Sequence, residues 1–159
     1  MGLTFDPNEI FQIAVRIEVN GEKFYRTMAE RLDDREVASL FSFLADEEVG
    51  HRRFYEGILA GAEPHEVEES YPGEYFEQMR AYAEGIIFSQ KSFERKLAEI
   101  SDAAAALDFA IGVEWDSIHY YQEMKGLVPK NKRAELDDLI NEERKHFVKL
   151  VKMKKDQGY

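Results

Sequence analysis

Glu48 and His51 are the residues of this chain whose types and spacing speak most directly of chemistry. They stand three apart in the stretch from Leu44 to Tyr55, LADEEVGHRRFY. Within a helix that spacing stacks a carboxylate and an imidazole one turn apart on one face. Their helical neighbours are apolar: Phe41, Leu44, Ala45 and Tyr55 around Glu48, and Leu44, Phe54, Tyr55 and Ile58 around His51. A carboxylate and a histidine aimed into such surroundings need a partner that offsets their lost hydration, and a divalent metal is a strong one.

The same pattern occurs twice. An offset of 95 (143 minus 48) lays Glu48 and His51 on Glu143 and His146. An offset of 96 (114 minus 18) aligns AVRIEVNGEKFYRTM with AIGVEWDSIHYYQEM, so that Glu18 falls on Glu114, Tyr25 on Tyr121 and Met28 on Met124. Glu18 lies among Phe11, Ala14, Val15, Gly21 and Tyr25, and Glu114 among Leu107, Ala110, Ile111, Ile118 and Tyr121. Glu47 and Glu142 precede the two repeated glutamates and compete with them for the same role. Around Glu143 the neighbours are largely apolar, whereas Glu142 sees Glu135, Asp138, Lys145 and Lys149. Glu142 is therefore expected to face water, and Glu47 with it.

Four long helices must position these residues. Asp6, Pro7 and Glu9 supply an N-cap, a first-turn proline and a capping-box glutamate, and the helix they start runs to about Arg31. Ile10, Ala14, Ile17, Gly21, Phe24, Met28 and Leu32 repeat along it at helical spacing, over roughly 38 Å at about 1.5 Å per residue. Asp33 and Glu36 read as the cap of a second helix that Gly61 ends. So short a link forces the two into an antiparallel hairpin. Residues 62–100 read as a crossover, with Pro64, Pro72 and Gly73 in a loop and one or two shorter helices between Glu74 and Leu97. Ser101 and Asp102 start a third long helix that Gly126 ends, and a fourth starts near Asn131. The expected architecture is an all-α four-helix bundle in one domain over 1–159: hairpin one about 6–61, crossover about 62–100, hairpin two about 101–157.

Composition excludes several alternatives. Hydrophobic residues make up 44% of the chain, enough for a sizeable core in a domain of this length. There is no cysteine, so disulfides, thiolate zinc, iron-sulfur clusters and a rubredoxin-type iron centre are excluded within it. Any metal must sit on nitrogen and oxygen. A net charge of −11 argues against nucleic acid as a partner. The one basic cluster, Lys145, Lys149, Lys152, Lys154 and Lys155, lies toward the end of the last helix, where cations complement its dipole. No leader-like opening and no run of about 18 apolar residues is visible, so a cytoplasmic protein without membrane association is expected.

At Glu18, Glu48 with His51, Glu114, and Glu143 with His146, the chain resembles the rubrerythrin branch of the ferritin-like di-iron carboxylate superfamily, without a rubredoxin domain. The resemblance covers the four long helices. It implies a ferritin-like bundle whose midpoint holds two iron ions, with manganese or zinc as alternatives, roughly 3.5–4 Å apart. Carried over by position, it implies that Glu48 and Glu143 bridge the metals, that Glu18 and Glu114 are terminal carboxylates, and that His51 and His146 each bind one metal. It further implies hydrogen peroxide or dioxygen as the oxidant and, with no rubredoxin domain present, an external electron donor such as a rubredoxin-like protein. Rubrerythrins carry a further glutamate three residues after the third-helix ligand, where this sequence has Ser117.

Glu22, one turn after Glu18, is a candidate for that missing carboxylate, although its repeat partner is Ile118. Tyr25 and Tyr121 are placed either to hydrogen-bond a ligating carboxylate or quench an oxidising equivalent, or simply to pack. His65 and His119 read as structural or exposed, and Trp115 as packing against the crossover or a partner subunit. Three functions follow: a di-iron oxidoreductase, a non-catalytic iron, zinc or manganese binder, or a metal-free helical interaction module. A homodimer is expected, with hairpin exchange between protomers left open.

Overall fold

The computed structural model describes residues 7–61, 73–83 and 90–159, and every regular element among them is helical. In chain order these are α1 (Pro7–Arg31), α2 (Arg35–Ala60), α3 (Gly73–Tyr82), α4 (Gln90–Glu99), α5 (Ala103–Met124) and α6 (Arg133–Asp156). The expected cap at Asp6 and the loop residues Pro64, His65 and Pro72 lie outside the described residues.

Where the helices begin follows from who satisfies their free N–H groups. Asp34, not Asp33, caps α2: its Oδ1 accepts from the backbone N–H of Glu36 and Val37, each at 3.1 Å. The first helical residue is Arg35, so an N-cap in extended conformation has to be position 34. Asp102 caps α5 as expected, accepting from the Ala105 N–H at 2.8 Å. α5 ends at Met124, just before Gly126, and the chain passes through two 3-10 turns, Lys125–Leu127 and Lys130–Lys132, separated by Val128 and Pro129. α6 therefore starts at Arg133, two residues later than Asn131. Its first side chain closes the corner, Arg133 donating to the carbonyls of Val128 and Gly126 at 3.1 Å each.

The buried apolar side chains fall into two clusters, one toward each end of the bundle. One gathers Ile10, Phe11 and Ile17 of α1, Tyr55 and Ile58 of α2, Tyr121 and Met124 of α5, and Leu136 and Ile140 of α6. The other gathers Phe24 and Met28, Val37 and Phe41, Ala103 and Leu107, and Leu150 from the same four helices. The order in which each helix visits the clusters shows that α1 and α6 run one way and α2 and α5 the other. The crossover therefore has to travel the length of the bundle, the one-long-connection topology of ferritin-like folds. Its helices do so stepwise: α3 adds Met79 to the first cluster, and α4 adds Phe93 and Leu97 to the second. Arg80 to Glu9 and Lys23 to Glu94, both 2.7 Å, fasten the two crossover helices to α1.

Candidate metal centre

Between the two apolar clusters lies a layer that breaks the core. Glu18, Glu48, His51, Glu114, Glu143 and His146 are each at most 5% exposed and meet there. All six sequence candidates are thus brought to one place, one carboxylate from each of α1 and α5 and a Glu-x-x-His pair from each of α2 and α6. Glu48, His51, Glu143 and His146 offer donor atoms all within 4.8 Å of one another. Glu18 and Glu114 flank this inner group on opposite sides. Glu18 Oε2 lies 3.7 Å from His51 Nδ1, and Glu114 Oε1 lies 3.9 Å from His146 Nδ1. Glu143 reaches both histidines, 2.9 Å from His51 Nδ1 and 3.1 Å from His146 Nδ1. The two imidazoles face each other with centroids 5.5 Å apart and planes 24° from parallel.

Charge in this layer is costly, because the helices around it supply little but hydrocarbon. Burial pushes the Glu48 and Glu114 carboxyls well above their usual range, reinforced by the charges of Glu18 and Glu143 on Glu48 and of Glu143 on Glu114. Burial also raises Glu143, against the pull of His51. Burial would raise Glu18 as well, but Glu48 and His51 outweigh it and hold that carboxyl low. Burial disfavours the His51 cation, yet Glu143, Glu18 and Glu48 reverse the effect and raise its pKa, while burial lowers that of His146.

Two divalent cations fit this set. Four carboxylates carry four negative charges, two neutral imidazoles add none, and two dications balance them. Glu18 Oε2 is buried without a hydrogen bond, an expensive state for a polar atom unless something else engages it. The donors are all nitrogen and oxygen, as suits iron, manganese or zinc.

The tyrosines resolve one open point of the sequence. Tyr25 donates its hydroxyl hydrogen bond to Glu114, and Tyr121 donates to Glu18. Each therefore reaches across to the other hairpin's glutamate, while its ring packs in the apolar cluster beside the layer. Glu22 does not supply a further carboxylate; Arg26 and Arg52 engage it at 2.9 Å and 2.6 Å. Ser117 is buried and bonds back to the Val113 carbonyl at 2.9 Å. Trp115 is 61% exposed and meets Phe147 of α6, while α3 touches the neighbouring Asp116 and His119 through Tyr82.

Sequence reasoning sent Glu142 and Glu47 to the water side and missed their approach to the histidines. Glu142 is half-exposed, as its neighbours suggested, yet its Oε2 lies 2.9 Å from His51 Nε2. Glu47 stands correspondingly 3.9 Å from His146 Nε2. Both line an open cleft of about 410 Å³ between α2 and α6 that ends on His51. The doubled Glu-Glu-x-x-His spelling was the available signal.

The family model described as Rubrerythrin matches residues 9–154. Among solved structures, a Thermotoga maritima protein described as a ferritin-like diiron-carboxylate protein matches with a TM-score of 0.74 and 30% identity, over 96% of this chain and 97% of that one. No curated protein matches.

Proposed function

The chain belongs to the rubrerythrin family, and from that premise we propose that it is a non-haem di-iron oxidoreductase. It reduces hydrogen peroxide, or oxidises ferrous iron with peroxide or dioxygen, and takes its electrons from an external donor such as a rubredoxin-like protein. The observation that carries this reading is the buried layer of four carboxylates and two histidines, whose charge two dications would cancel. In it Glu18 and His51 would hold one iron, Glu114 and His146 the other, with Glu48 and Glu143 between them. Bound iron would supply reversible one-electron chemistry at each position. The chain's own part is to keep the carboxylates oriented through the Tyr25 and Tyr121 hydroxyls and to close the layer at its two ends along the bundle with the apolar clusters.

Anaerobic loading with ferrous iron followed by peroxide is expected to give a rapid diferric absorption change, which Glu48→Ala or His146→Ala abolishes. Variants that react like the parent would sink the assignment.

A second reading is a non-catalytic iron, zinc or manganese binder. It is favoured by Ser117, which puts a hydroxyl already bonded to its own helix where related proteins have a carboxylate. Metal analysis separates the two: a bound zinc pair without redox cycling supports the binder. Among the described residues no helix is long and apolar enough to cross a membrane, which is in keeping with the cytoplasmic location we propose. The homodimer we propose would draw on exposed apolar side chains such as Trp115, Val148 and Val151, and light scattering checks it.

A further inference from the structure

Glu142 is absent from the ligand set, half-exposed, and in contact with the outward nitrogen of a histidine that is 96% buried. We propose that Glu142 is a positioning residue for His51, that Glu47 plays the same part more weakly for His146, and that the two cation positions are consequently filled in order, the His51 position first. The inference rests on the di-metal reading above and adds a role and a sequence of filling to it.

A neutral imidazole carries one N–H and one lone pair, and which nitrogen has which is decided by the partners of the ring. At His51 the two nitrogens face different worlds. Nε2 lies 2.9 Å from Glu142 Oε2, and an ionised carboxylate only accepts, so Nε2 carries the hydrogen. Nδ1 is then the nitrogen that a cation takes up, in exchange for the proton that Glu143, Glu18 and Glu48 otherwise hold on it from 2.9, 3.7 and 3.8 Å. The contact also comes from the opposite hairpin, since Glu142 lies on α6 and His51 on α2, so ring orientation and the spacing of the two helices are fixed together. A carboxylate behind a ligating imidazole makes it a more basic ligand, and its loss typically costs about 10–100-fold in metal affinity.

The reciprocal contact is unequal. Glu47 Oε2 stands 3.9 Å from His146 Nε2, beyond hydrogen-bond reach. His146 Nδ1 instead lies 3.1 Å from Glu143 Oε2 on its own helix. One imidazole is thus held from behind across the bundle, and the other is steadied within one turn of α6. A cation arriving at the His51 side finds its nitrogen ligand already oriented, whereas one at the His146 side has still to fix it.

Titration of the full-length, metal-free chain with Co²⁺, read by its visible absorption, tests this. The parent is expected to take two equivalents in two resolved steps. Glu142→Ala should weaken the first step by about 10–100-fold and merge it with the second. Glu142→Gln, whose amide oxygen still accepts from Nε2, should restore part of the loss, and Glu47→Ala should act less strongly and on the second step alone. Zinc-loaded protein, by nitrogen-detected NMR of the imidazoles, should show His51 protonated on Nε2. The inference is overturned if Glu142→Ala lowers only the melting temperature of the metal-free chain, or if both steps match the parent's. A parent that binds no Co²⁺ would overturn the metal centre and this inference together, whereas a two-equivalent parent with unaltered variants overturns the inference alone.

Discussion

The two hairpins, α1 with α2 and α5 with α6, hold the same chemistry in different packing. Glu18 and Glu114, the two Glu-x-x-His turns, and Tyr25 and Tyr121 correspond one for one, and all are buried. Around them the halves part company. Where α1 has Gly21, α5 has Ser117; where α1 has the arginine-bound Glu22, α5 has the buried Ile118. Tyr55 of α2 corresponds to Leu150 of α6. What the halves keep in common is what two cations at a shared midpoint would demand from either side. What they do not share fills space left by neighbours that differ, since α4 of the crossover packs on α1 and α3 packs on α5.

The largest separation of shared from unshared features should come from removing the cations. At a hundredfold excess over the dissociation constant each bound metal stabilises the fold by about 2.7 kcal/mol, so a chelator should lower the melting temperature markedly. The pH dependence should then reverse. Glu48, Glu114 and Glu143 are raised from an ordinary 4.5. A carboxyl raised on folding stabilises the fold most below its unfolded value and loses that contribution as pH climbs through the folded one. His51, raised from 6.5, acts in the same sense, stabilising below 6.5. His146, lowered from 6.5, opposes it below that pH, and Glu18 opposes it only below 4.5. Metal-free protein should therefore be more stable at pH 5.5 than at pH 8. The loaded protein should be less stable at pH 5.5, because protons displace the metals. Melting curves at the two pH values, with and without chelator, check both signs.

Next in size is the tyrosine pair. Tyr25→Phe and Tyr121→Phe each remove the hydrogen bond to a flanking glutamate of the opposite hairpin, and each should cost about tenfold or more in metal affinity. Equal losses in a Co²⁺ titration would confirm that the halves are equivalent here; a loss in only one would break the likeness.

Gly21 and Ser117 should then separate the halves. A methyl at position 21 would lie 3.3 Å from the Glu48 carboxyl carbon. Alanine there favours the helix by about 1 kcal/mol, yet it must push Glu48 aside. Gly21→Ala should leave the metal-free fold intact and weaken metal binding by up to about tenfold. Ser117→Ala breaks a bond within α5 alone and should leave binding unchanged. The smallest effect is structural and shared: Asp34→Ala and Asp102→Ala should each cost about 1 kcal/mol of stability in urea unfolding.

Most of the layer was legible because helical spacing fixes which Cβ atoms share a face, and a carboxylate among apolar neighbours stands out. Spacing does not say how far a side chain reaches. Glu142 starts about 100° around α6 from Glu143, a direction that reads as solvent, and its length carries the carboxylate sideways to α2. The crosswise tyrosine bonds were likewise only one of two readings, because which neighbour a hydroxyl finds depends on how the hairpins are laid together. The cap at Asp34 and the later start of α6 turned on single residues at corners, where adjacent aspartates or a proline offer the chain nearly equal choices.

Trp115 carries one more consequence. It is the chain's single tryptophan, bonded directly to Glu114 and in ring contact with Phe147, the residue after His146. The molecule thereby has a built-in optical gauge one residue from the Glu114 and His146 side of its centre. Its emission should dim as a paramagnetic ion arrives there, so occupancy of that position can be followed without a label.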